Sequence, residues 1–293
     1  MSEQFDQIAH YAIDFGPIIS AQPALISHRE NTVYSCKLIT GAGAVLRLHR
    51  AGYMTDLGIV AELAYMSALL RAGFATPAPI PTPSDDLLVA LPQGTRATLL
   101  SWCDGDPIGR GGRLLDHLDQ TRLMRRLGAC IAQLHNISDD IFIDEISARP
   151  YWTLEGLLGL NPVWGSWRTL PLIDQSNRVC LEQAESLSCR KLTTYSGRAD
   201  VALIYADLMR ENIFDGADGL TLIDFYDCSW GYRLYDLMTA LAQSLDYPDL
   251  ADQTTHLIAG YAAQRSISTE GQALLLVFAF LRVLAGLGWV QPR

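Results

Sequence analysis

The chain has 293 residues, enough to bury the core of one large domain or of two smaller lobes, and its composition (49% apolar, 18% charged) is that of an ordinary globular protein. A formal charge of −10 and a pI near 5.0 argue against a nucleic-acid or anionic-membrane partner. Six scattered cysteines, with no C-x-x-C and no Cys/His pairing at ligand spacing, speak against a disulfide framework or a zinc site and for a reducing, cytoplasmic setting.

The first residues, MSEQFDQIAHYAIDFG, carry acids and no apolar core, so no signal peptide is expected. Residues 33–40 and 44–49 are β-rich and joined by Gly41-Ala42-Gly43, a hairpin signal. Thr55 then reads as the N-cap of a helix, with Asp56 favourable in its first turn, running to a stop at Gly73. Residues 76–83, TPAPIPTP, predict an extended connector. Asp86–Leu91 and Arg96–Trp102 follow as a second strand pair. From Leu114 the pattern is helical, with spans expected at 116–135, 174–189, 235–246, 251–264 and 271–288. The apolar run Ala273–Val290 is the one membrane candidate, but Arg282 interrupts it after nine apolar residues, so a buried closing helix is expected.

Residues 203–227, LIYADLMRENIFDGADGLTLIDFYD, carry the chemistry. A carboxylate (Asp207), an amide five residues later (Asn212) and a second carboxylate beyond a short hairpin (Asp224) have the layout of a phosphoryl-transfer site. One carboxylate can orient a hydroxyl and accept its proton; the amide oxygen and second carboxylate are hard oxygen ligands suited to Mg²⁺. Ile213-Phe214 and Leu220–Ile223 read as the two strands, with Asp215–Gly219 as the turn, which would bring Asn212 and Asp224 to one end of the hairpin, with α-carbons within about 6 Å.

This segment resembles the catalytic loop of the aminoglycoside phosphotransferase and choline kinase superfamily, H-x-D-x-x-x-x-N followed by a strand and I-D-F/W, and Trp230-Gly231 with Tyr235-Asp236-Leu237 resembles the W-G-x-x-x-Y-D-L that follows in that family. The family histidine is Tyr205 here. The resemblance implies an α+β, bilobal protein-kinase-like fold. Residues 1–102 would form a β-rich nucleotide-binding lobe and residues 103–293 a mainly helical catalytic and acceptor-binding lobe. It implies ATP (or GTP) with Mg²⁺ as cofactors and a small-molecule hydroxyl as acceptor: an amino alcohol, a homoserine-like amino acid, a sugar or an aminoglycoside. Protein Ser/Thr kinases of the bacterial stress-response type share the loop, and the two departures, at Tyr205 and Arg47, leave a pseudokinase as a third reading.

In the first lobe, strand alternation projects Arg47 opposite Leu46 and Leu48, and Glu62 lies mid-helix among apolar residues, where an acid wants a partner. The pair resembles the Lys–Glu pair of kinases, with Arg for Lys; His49 and Arg50 compete for the role. No glycine-rich loop is present at 27–35, and Ser27, Asn31 and Thr32 can donate to phosphates instead. By the resemblance, Ser101 and Trp102 lie at the hinge whose backbone meets adenine. Asp227, Trp152 and Trp164 are candidate acceptor contacts, with packing as the alternative for the tryptophans and turn-capping for Asp227. His135 reads as a helix-terminal histidine near the last carbonyls, and Asp236 as an N-cap or structural carboxylate.

Overall fold

The computed structural model describes Phe15 and residues 23–28, 31–91, 94–195 and 200–290; the N-terminal segment with no expected signal peptide lies, Phe15 apart, outside the described residues. The chain divides into two compact units. The first comprises residues 1–105 together with 142–149 and 221–226, and the second residues 106–141, 150–220 and 227–293.

The first unit is built on an antiparallel sheet of β1 (Ala24–His28), β2 (Thr32–Lys37), β3 (Gly43–His49), β4 (Pro79–Ile80), β5 (Val89–Ala90) and β6 (Arg96–Ser101). Its order is β1-β2-β3-β6-β4, with β5 also on β6. The hairpin expected at Gly41 forms between β2 and β3, and Gly41 takes the positive φ (85°) that its turn requires. The connector expected to be merely extended contributes β4: Pro79, which has no N–H to give, sits on the edge of the sheet opposite Leu100. Alternation along β3 sends Ala44 and Leu46 into a core with Phe15, Tyr34, Cys36, Leu91, Ala97 and Leu99. The other face of β3 carries Arg47 and His49, both buried.

Helix α1 (Asp56–Arg71) starts where Thr55 caps it, the hydroxyl accepting from the Gly58 N–H at 3.1 Å. It ends at Ala72, followed by Gly73 at φ 82°. Arg149, from the 142–149 segment, is buried and donates to the carbonyls of Gly58 and Tyr226, tying α1 to the 221–226 segment.

The second unit holds α2 (Gln120–Ser138), α3 (Leu154–Leu158), α4 (Gln175–Thr194), α5 (Arg233–Thr239), α6 (Leu250–Ala262) and α7 (Thr269–Trp289), with short strand pairs. β7 (Asp106–Pro107) pairs with β11 (Ile213–Gly216), which joins β12 (Gly219–Leu222) in a three-stranded sheet, and β8 (Gly109–Arg110) pairs with β9 (Arg113–Leu114). β10 (Val201–Ile204) and β13 (Ser229–Tyr232) form an antiparallel pair that leads the chain into residue 205. Asp215, expected in a turn, is in β11 instead, and its carboxylate is gripped by both terminal nitrogens of Arg126 at 2.8 and 2.6 Å.

Helices α2 and α6 meet at two glycines. A Cβ on Gly128 would lie 2.0 Å from the Leu257 carbonyl oxygen, and one on Gly260 would lie 2.0 Å from that of Arg125. Helix α7 is long and apolar enough to cross a membrane by length and composition, and more than half of that stretch is buried inside the protein, Arg282 included.

Candidate active site

In the first unit the site residues gather around Arg47. Its Nη1 donates to Glu62 Oε1 at 2.7 Å, and its Nη2 lies 3.2 Å from Asp224 Oδ1. Glu62 is wholly buried on α1, so the expected partner of Arg47 is the one it has. Burial opposes the charge on Arg47, but Glu62 and Asp224 outweigh it and push the guanidinium above its ordinary range. The competing His49 is occupied elsewhere: its Nε2 lies 3.0 Å from Thr98 Oγ1, and burial, reinforced by Arg47 and Arg149, pushes it down to about 3.

Asp224 departs from its neighbours in two ways. Its side chain is 44% exposed while Glu62 and Arg47 are buried. Its φ is 61°, in the left-handed region where Asp is one of the few tolerated non-glycine residues. The next two residues anchor it: Phe225 meets Tyr65 of α1 edge-on, and the Tyr226 ring stacks on Tyr53 and lies under Arg47.

At the expected hinge, the Ser101 N–H donates to the Ala78 carbonyl and its hydroxyl accepts from the Ala78 N–H, both at 2.8 Å. The Trp102 N–H donates to the Gly43 carbonyl at 3.2 Å, and its half-exposed ring stands over Gly43. Both amides are thus engaged within the unit. Of the polar residues expected to greet phosphate, Ser27 lies in β1 and Thr32 in β2, where it bonds His28 at 2.8 Å; Asn31 is buried and accepts from the Arg50 N–H rather than donating.

In the second unit, β10 delivers the chain to Tyr205, Ala206 and Asp207. The Tyr205 and Ala206 N–H groups donate to Asp236 Oδ2 and Oδ1 at 2.8 and 2.7 Å, and Ala206 is held at φ 71°, a conformation costly for alanine. The Asn212 amide closes the loop by donating to the Asp207 carbonyl at 3.2 Å. Arg210 between them is buried, bonded to the Gly112 carbonyl and to Ser244 Oγ. The Asp207 carboxylate itself meets Arg282 of α7 at 3.2 Å.

His135 lies in the last turn of α2, as expected, with its ring turned inward. It is fully buried, with Nε2 3.0 Å from Asp236 Oδ2 and Nδ1 2.9 Å from the Tyr261 hydroxyl, so it supports the carboxylate that organises residues 205–206. Asp236 is structural, as one of its two expected roles had it; the N-cap of its helix is Tyr232. Because the loop is clamped through backbone amides, a tyrosine at 205 is compatible with the clamp.

Trp152 and Trp164 are buried and perpendicular, their centroids 5.0 Å apart, and Trp152 stacks on Tyr235. Both indole N–H groups go to Asp227: Trp152 to its carbonyl at 2.7 Å and Trp164 to its carboxylate Oδ1 at 3.0 Å. The tryptophans therefore pack and also aim Asp227.

The structure so brings Arg47, Glu62 and Asp224 together in one unit, and Asp207 with Asn212, and Asp227 with Trp152 and Trp164, in the other. The profile of the phosphotransferase enzyme family matches residues 24–274. The chain belongs to this family. Among solved structures, a microcompartment-associated aminopropanol kinase is 25% identical, with a TM-score of 0.83 over 96% of this chain and 87% of that one. An amicoumacin kinase in complex with AMP-PNP, Ca²⁺ and amicoumacin is 18% identical, with a TM-score of 0.80 over 98% and 85%. A choline kinase from Cryptosporidium parvum is 15% identical, with a TM-score of 0.65 over 97% and 88%. No curated protein matches. The expected kinase-like α+β fold is the fold of these structures. The chain is a kinase of the family, an ATP-binding phosphotransferase with an alcohol group as acceptor.

Proposed function

We propose that the protein transfers the γ-phosphoryl group of ATP to a hydroxyl of a small molecule in a Mg²⁺-dependent reaction. One observation carries the reading: Arg47 touches both a fully buried glutamate and a half-exposed aspartate, Asp224. Such an array keeps one cation fixed for nucleotide phosphate and leaves a carboxylate exposed for metal. Asp207 would orient the acceptor hydroxyl and take its proton, held from behind by Asn212 at its backbone.

The donor chemistry fits a hard cation. Asp224 and Asn212 supply carboxylate and amide oxygens, and among the described residues no group of three or more His, Cys, Asp or Glu side chains is placed to cage a metal alone. That is the pattern for Mg²⁺, which keeps waters and shares its shell with nucleotide phosphates. When bound, the ion would neutralise charge on the transferring phosphates. Arg47, with Glu62 behind it, would bind the phosphates; Ser101 and Trp102 stay assigned to the nucleotide side, and Asp227, Trp152 and Trp164 to the acceptor side. Six free cysteines agree with a cytoplasmic setting.

Likeness to an aminopropanol kinase puts amino alcohols first among acceptors. The test is ATP turnover against a panel of amino alcohols, hydroxy amino acids, sugars and aminoglycosides, with and without Mg²⁺. Turnover with one class that vanishes on chelation supports the reading; phosphorylation of a generic protein substrate and of no small molecule would overturn it.

A further inference from the structure

Helix α7 is apolar along Ala273–Val290 except for one residue. Arg282 is buried there, its side chain only 9% exposed, although a guanidinium taken out of water is costly and leucine would serve the helix better. Its Nη2 donates to Asp207 Oδ1 at 3.2 Å and to Met209 Sδ at 3.4 Å. Its guanidinium carbon lies 4.6 Å from the centre of the Trp164 ring, within cation–π range. Its Nε has no hydrogen-bond partner among the described residues. A charge buried this deeply, with its donors incompletely used, is placed for what it touches, and it touches Asp207.

We infer that Arg282 is a positioning residue for phosphoryl transfer: it fixes the orientation of the Asp207 carboxylate through Oδ1. The inference rests on the assignment of Asp207 above. Asn212 and the Met209 N–H hold the carbonyl of Asp207, and Arg282 acts on its side chain. The Trp164 stack ties Arg282 to the residue that also aims Asp227, so acceptor side and base share one support. Small misplacements of a reacting group are enough to cost about a hundredfold in rate.

The experiment is a double-mutant cycle of Arg282→Met and Asp207→Asn in the full chain, read as kcat, acceptor KM and Mg-ATP affinity. Arg282→Met preserves volume and the apolar character of α7. It is expected to lower kcat about ten- to a hundredfold, with nucleotide affinity unchanged and acceptor KM moved by less than about threefold. In the Asp207→Asn background, the same substitution is expected to have little further effect. Arg282→Lys, which keeps the charge, should recover part of the lost kcat, and guanidinium ion should do the same in Arg282→Ala. Unchanged kcat in Arg282→Met overturns the inference, and so does an effect of full size in the Asp207→Asn background. If Asp207→Asn alone keeps full turnover, it is the assignment of Asp207 that has failed, a result distinguishable from both.

Discussion

Ala206 donates its backbone N–H to Asp236 across thirty residues of sequence, and it does so from a positive φ that alanine adopts reluctantly. Among the described residues the same fully buried carboxylate is also met by Tyr205 and His135. Asp236→Ala leaves two buried amides and a buried imidazole without their partner, and is expected to cost about 3–5 kcal/mol of stability. Urea unfolding measures it; a loss under about 1 kcal/mol would show that the loop is held by something else.

The two carboxylates proposed for phosphoryl transfer, Asp207 and Asp224, should separate by what they bind. Asp224→Asn keeps a side chain tolerant of the left-handed backbone, so its melting temperature should stay near that of the parent protein while Mg-ATP binds more weakly. Asp207→Asn should bind nucleotide normally and turn over at least about a hundredfold more slowly. Calorimetric titration of both variants decides, and nucleotide loss in Asp207→Asn alone would reverse the roles.

Of the two carboxylates beside Arg47 among the described residues, Glu62 is wholly buried and Asp224 is 44% exposed. Glu62→Ala removes the better half of the compensation for a buried guanidinium and should cost about 3 kcal/mol, with nucleotide affinity falling about tenfold. Arg47→Lys should retain a contact to one acid, because an ammonium cannot span both as the guanidinium does, and should lie between parent and Glu62→Ala in affinity. Equal affinity in Arg47→Lys and the parent would remove Asp224 from the account.

His49 makes stability depend on pH. Its folded value, pushed down to about 3 by burial and by Arg47 and Arg149, lies below the ordinary 6.5. The unfolded chain therefore takes up a proton that the folded one refuses. The contribution is complete above about pH 6.5 and is lost as pH falls from there towards 3, by at most about 1.4 kcal/mol per pH unit. Unfolding free energies between pH 6.5 and 5 should slope accordingly in the parent and flatten in His49→Gln. The same slope in both would assign the effect to other groups.

What could be read from sequence was local. Thr55 with Asp56 marked a helix start because capping needs only neighbouring residues, and Asp207, Asn212 and Asp224 stood out because their spacing within one short segment is itself the signal. Arg47 and Glu62 were legible as a pair since an acid among apolar helix residues demands a cation. His135 was legible as a histidine of the last helical turn, but its partners stand 101 and 126 residues away and no local pattern names them. Arg282 drew notice only as an interruption in an apolar run; its role depends on Asp207, 75 residues earlier. The assignment of 142–149 and 221–226 to the first unit has no local cue either, since it rests on contacts such as those of Arg149.

The glycine crossing of α2 and α6 acts on the Tyr205–Asp207 loop from a distance. Gly128 lies two turns before His135 on one helix, and Gly260 immediately precedes Tyr261 on the other, so the depth at which the backbones meet sets whether the imidazole reaches the phenol. A single methyl added at either glycine would act as a spacer between the helices and would be felt in turn by Tyr261, His135, Asp236 and the amides beneath Asp207. Two residues with no side chain thus serve as a calibration point for the loop that carries Asp207, although neither lies in it.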